Sequence, residues 1–130
     1  MGAIRSLPAS ELEIMLAVWG QEGGVTAPEV LQALGRKLTP SALHSYLKRL
    51  EEKGFLCCEK EGKVNRYRAL IAQKDYQARE SRTILDQLYG HSLKRFAAAL
   101  YDGGTLRREE VAELRDYLDE LEEKLGEEGK

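Results

Sequence analysis

Ser41, Ala42, His44 and Ser45 stand just ahead of Lys48 and Arg49, and Lys60, Lys63, Arg66 and Arg68 follow. Hydroxyls and an imidazole can exchange hydrogen bonds with base edges, whereas ammonium and guanidinium groups neutralise phosphate. The order is informative. A helix entering a major groove N-terminus first needs short hydrogen-bonding residues at its tip and cations further along. The local sequence supplies such a helix. Thr39-Pro40 opens it with a cap and a first-turn proline, and Gly54 stops it. Leu43, Leu47 and Leu50 lie within about 60° of one another on the helical wheel and form the inner face. Ser41, Ser45, Lys48 and Glu52 lie on the opposite face, flanked by Ala42, His44 and Arg49. We therefore read Ser41, Ala42, His44 and Ser45 as base contacts, and Lys48 and Arg49 as phosphate contacts. A small-and-basic face alone also fits a merely solvated helix, so the neighbouring elements decide.

Upstream, Thr26-Ala27-Pro28-Glu29 is a capping box, followed by Val30, Leu31 and Leu34 and then Gly35. Downstream, Phe55 to Lys60, a turn at Glu61-Gly62 and Lys63 to Arg68 read as a basic hairpin, with Lys63 and Arg66 against phosphate. That turn would set Leu56 opposite Tyr67, Cys58 opposite Asn65 and Cys57 opposite Arg66. Ser10-Glu11-Leu12-Glu13 reads as a capping box for a first helix, with Leu12, Met15, Leu16 and Trp19 as its buried stripe. Trp19 is read as core. Val25 reads as a short extended segment able to pair with the hairpin. Three helices and a β-hairpin wing make a winged helix-turn-helix, ending near Ala72.

Beyond it the sequence carries helices alone. Asp75 to Tyr89 holds Ile84, Leu85 and Leu88; after Gly90 come Leu93, Phe96, Ala97, Leu100 and Tyr101. Gly103-Gly104 interrupts again. Val111, Leu114, Leu118, Leu121 and Leu125 then recur at alternating spacings of three and four, a heptad seam. So short a stretch cannot easily bury all these faces within one chain. A two-fold partner is the natural remedy. We expect a mainly α protein with a DNA-binding domain over 1–72 and a helical dimerisation region over 73–130. Its dimer contacts would be Ile84, Leu88, Leu93, Phe96, Leu100, Val111, Leu114, Leu118, Leu121 and Leu125. The alternative folds the last helix back on its own chain.

Charge is distributed to match. The 130 residues carry a net −2, yet residues 39–70 hold seven Lys/Arg against four Glu and residues 109–130 ten Asp/Glu against three. A basic head with an acidic tail suits a binder whose tail points away from DNA. No stretch resembles a signal peptide or spans a bilayer, so no membrane insertion is expected and the chain reads as cytoplasmic. No Gly-rich phosphate loop, nucleophile motif or Cys/His cluster is present, so we expect no enzyme, cofactor or metal. Cys57 and Cys58 project to opposite faces of a strand and read as structural thiols. His91 is isolated.

Leu12-Glu13-Ile14-Met15…Trp19, Val25-Thr26…Glu29-Val30, Leu43…Leu47-Lys48-Arg49-Leu50-Glu51-Glu52-Lys53-Gly54 and Glu61-Gly62-Lys63…Tyr67 resemble the penicillinase-repressor (BlaI/MecI/CopY) family. The resemblance runs over roughly residues 7–125. It implies a homodimeric repressor that binds a palindromic promoter operator in double-stranded DNA. It also implies relief by a regulatory protease cutting within the second dimerisation helix. β-Lactam-responsive members carry an Asn-Phe scissile pair; the matching bond here is Ala99–Leu100. The copper-responsive branch binds metal through C-terminal cysteines, and after Cys58 this chain has none. Two other readings stay open: a winged-helix regulator of another family controlled by a ligand or metal, and a winged-helix protein-interaction module.

Overall fold

The computed structural model describes residues 6–128; residues 1–5 and 129–130, at the outer ends of the two expected regions, lie outside the described residues. The elements are α1 (Ala9–Trp19), β1 (Val25–Thr26), α2 (Ala27–Ala33), α3 (Pro40–Glu52), β2 (Leu56–Glu61), β3 (Val64–Ala69), α4 (Gln73–Leu88), α5 (Leu93–Asp102) and α6 (Arg108–Glu128). This is the mainly α architecture read from the sequence, three helices and a hairpin wing followed by further helices. Packing divides the chain into two units, Met1–Ser81 and Arg82–Lys130.

The first unit closes over Ile14, Met15, Val18, Val30, Leu43, Leu47, Leu50, Phe55, Leu56 and Tyr67, all buried. Two expectations for α1 need correction. Its N-cap is Pro8, and no side chain caps it, so Ser10 does not form a capping box. Its buried residues are Glu11, Ile14, Met15 and Val18, while Leu16 is 48% exposed. The inner stripe is therefore the expected spacing moved back by one residue, a rotation of about 100°. Residues 14–19 are apolar throughout, so periodicity alone fits both faces. Glu11 settles the choice: it is 3% exposed, and Lys53 Nζ donates to its Oε1 across 2.6 Å. Trp19 does pack against the core. Its indole N–H donates to the Ile71 carbonyl at 2.8 Å, and its ring lies 5.6 Å from that of Tyr76.

The sheet has order β1-β3-β2, all antiparallel. Val25 pairs with Tyr67, as the extended reading of Val25 expects. The hairpin register differs from expectation by two residues. Leu56 faces Ala69, Cys57 Arg68, Cys58 Tyr67, Glu59 Arg66, Lys60 Asn65 and Glu61 Val64. The loop is Gly62-Lys63, with Gly62 at φ 64°, because glycine suits the left-handed first position of a two-residue hairpin loop. A slip of two keeps every side chain on its face. Leu56 and Cys58 accordingly still share the inner side, and burial beside Cys58 pushes the Tyr67 hydroxyl up. Gly24 (φ 92°) lies where a Cβ would stand 2.9 Å from the Tyr67 carbonyl oxygen. Only glycine lets this loop run so close to β3.

In the second unit Leu85 is buried and Tyr89 packs edge-on to Phe96 at 5.1 Å. Gly90 and His91 both take positive φ before Ser92, whose hydroxyl accepts the Arg95 N–H at 3.1 Å to cap α5. Among the described residues α5 and α6 bury none. Ile84, Leu88, Leu93, Phe96, Val111, Leu114, Leu118 and Leu125 are exposed, and Leu100 and Leu121 half-buried. No helix among the described residues is long and apolar enough to cross a membrane.

Candidate nucleic-acid interface

Two capped helices position the candidate residues. At α2 the Thr26 N–H donates to Glu29 Oε1 at 2.8 Å and the Glu29 N–H to the Thr26 hydroxyl at 3.4 Å, a complete capping box with Pro28 in the first turn. These bonds to Thr26, backbone first, hold the Glu29 carboxyl below the usual carboxylate range. Its ionised form therefore stabilises α2 above that range, and the contribution is lost as pH falls through the lowered pKa. Glu29→Gln is expected to melt below the parent at neutral pH, the gap closing on acidification in circular-dichroism melts. A gap constant with pH would contradict this.

At α3 the Thr39 hydroxyl accepts the Ala42 N–H at 3.1 Å, Pro40 fills the first turn, and Leu43, Leu47 and Leu50 are sealed in the core. Ser41, His44, Ser45 and Lys48 are left exposed, with Ala42 half-buried beside them. Ser45 Oγ donates back to the Ser41 carbonyl at 3.3 Å. Arg49 is exposed, its guanidinium 5.5 Å from the Tyr46 ring centroid, within cation–π range. On the wing Lys63 sits exposed in the loop. Arg66 is different: half-buried, its Nε donates to Glu61 Oε2 at 3.0 Å and its Nη1 to the Gly24 carbonyl at 3.3 Å.

Of the eight candidate residues six thus stand on α3 and two on the wing, within one unit. Sequence reading missed the wing's carboxylate partners, Glu59 and Glu61. Its available signal was the alternation of Glu59-x-Glu61 and Arg66-x-Arg68, and only the correct register sets Glu59 opposite Arg66 with Glu61 and Arg68 on the diagonals. Among the described residues no cluster of His, Cys, Asp or Glu could hold a metal ion.

A helix pair with an exposed polar tip on the second helix, followed by a basic hairpin, defines a winged-helix DNA-binding unit. Comparison with known proteins agrees. The sequence profile of the family described as penicillinase repressor matches residues 7–120. The penicillinase repressor of Bacillus licheniformis is 30% identical over 122 residues, covering 92% of this chain and 94% of that protein. The methicillin resistance regulatory protein MecI of Mammaliicoccus sciuri is 22% identical over 114 residues, 86% of this chain and 92% of its own. The solved DNA-binding domain of the repressor BlaI superposes with a TM-score of 0.50 at 32% identity, covering 58% of this chain and 94% of that domain. The chain belongs to the penicillinase-repressor family of DNA-binding transcriptional repressors.

Proposed function

We propose that this chain represses transcription by occupying a palindromic promoter operator as a homodimer. The observation that carries the reading is the division of α3, whose leucines are sealed in the core while Ser41, His44 and Ser45 are exposed towards its N-terminal end and Lys48 further along. Ser41, Ala42, His44 and Ser45 read bases; Lys48, Arg49, Lys63 and Arg66 contact phosphate. Residues 1–72 form the reading domain and 73–130 the dimerisation region. Support for assembly is the apolar set Ile84 and Leu88 on α4, Leu93, Phe96 and Leu100 on α5, and Val111, Leu114, Leu118, Leu121 and Leu125 on α6, largely exposed in one chain and covered by a second copy in the proposed dimer. Repression needs no chemistry by the protein, because an occupied promoter is closed to other proteins. A protease cutting Ala99–Leu100, within α5, would separate α6 from the reading domain and so relieve repression.

The test uses an operator selected from random-sequence DNA. Ser45→Ala should flatten preference at one base position, by about 1–3 kcal/mol at most. Lys48→Ala should weaken binding to all sequences and lower the salt slope by about one unit. Unaltered binding in both variants would refute the placement of α3.

A further inference from the structure

Wing arginines and wing carboxylates alternate on one face of the hairpin. Glu59 stands directly opposite Arg66, with Glu61 and Arg68 on the diagonals. Glu61 reaches both arginines: its Oε2 accepts from Arg66 Nε at 3.0 Å, and its Oε1 lies 3.5 Å from Arg68 Nη2. Arg68 Nε also donates to Glu59 Oε2 at 3.1 Å. Arg66 is tethered a second time, through Nη1 to the Gly24 carbonyl. Among the described residues Lys63 takes part in no such pair and is the exposed cation of the loop.

The four charges of this face sum to zero. A phosphate approaching it meets two carboxylates as well as two guanidinium groups already donating elsewhere. Both carboxylates are about half exposed, at 53% and 50%, where an ion pair adds little to folding stability. Their effect on an incoming polyanion is larger, because affinity for DNA follows the number of cations free to displace counterions.

We infer that Glu61 restrains Arg66 and Arg68 in the unbound protein, setting the wing's grip on phosphate below what its cations could deliver. This rests on the reading of the wing as a phosphate-contacting element. Glu61 thereby sets affinity without choosing sequence, since every duplex presents the same phosphates. A weaker general grip shortens residence on the excess of nonspecific DNA that any repressor must leave.

The experiment measures fluorescence anisotropy of the full chain on the selected operator and on a scrambled duplex, across a salt series. Glu61→Gln, at a half-exposed site, should fold as the parent does and bind both duplexes more tightly. The gain should be on the order of 3–10-fold at low salt, with a steeper salt slope and an unchanged ratio between the duplexes. In an Arg66→Ala/Arg68→Ala background the same substitution should give a much smaller gain. An undiminished gain there would mean Glu61 acts by plain repulsion and would overturn the restraint. Unchanged or weaker binding by Glu61→Gln would overturn it too, the carboxylate then orienting the arginines for contact. Lys63→Ala separates this outcome from failure of the underlying reading. If it weakens binding to both duplexes, the wing is on DNA whatever Glu61 does; if it changes neither, the wing lies off the DNA and the reading falls with the inference.

Discussion

Leu118→Asp is expected to leave the protein mostly monomeric at micromolar concentration and to reduce operator affinity by at least about 100-fold. Leu118 is the middle residue of the row Val111, Leu114, Leu118, Leu121 and Leu125, and in a single chain it is 46% exposed. A second copy of α6 laid along this row would bury it. A carboxylate there would have to be dehydrated without a partner, at a cost of several kcal/mol. Losing the proposed dimer would convert two linked half-site contacts into independent ones, and linkage of that kind is worth about 10²–10⁴ in affinity. Analytical ultracentrifugation and operator titration read the two effects separately. A variant that still sediments as a dimer would remove α6 from the interface.

The second large effect concerns α1 and α3. Lys53→Met should destabilise the first unit by about 3 kcal/mol in urea unfolding. Lys53, at the C-cap of α3, donates across 2.6 Å to a Glu11 side chain that is 4% exposed. Removing one member of such a pair strands the other charge away from water, for about 3–5 kcal/mol. Lys53 keeps 22% of its own side chain in solvent, which favours the lower end. Glu11→Leu combined with Lys53→Met should recover much of the loss, because two apolar groups leave no stranded charge. A cost no larger than that of an exposed pair would show that water reaches Glu11.

How far these features could be read from sequence depends on the physics behind each. α2 and α3 were legible because caps, first-turn prolines and leucine stripes all agree on one helix. The helices after residue 72 were legible because glycines punctuate them. The inner face of α1 was not, since an apolar run fits either rotation and the deciding contact is with Lys53, 42 residues away. The wing register slipped because two adjacent turn placements satisfy the same face alternation. Its carboxylate–guanidinium ladder was lost with the register. Arg66 was legible as a cation and invisible as an engaged one.

The strand order β1-β3-β2 leaves a two-residue strand and a six-residue strand at the margins of the sheet. An open margin is a row of unmet backbone donors and acceptors that another chain's strand can join, and proteins crowded along DNA would meet that hazard often. Here features of both margins disfavour recruitment. β1 passes straight into α2, with Pro28 in its first turn, so nothing extended remains to template a further strand. The free side of β2 ends in Glu59-Lys60-Glu61, whose charges an added strand would have to desolvate. The short β1 and the charged end of β2 thus lower the tendency of the wing's sheet to recruit another strand.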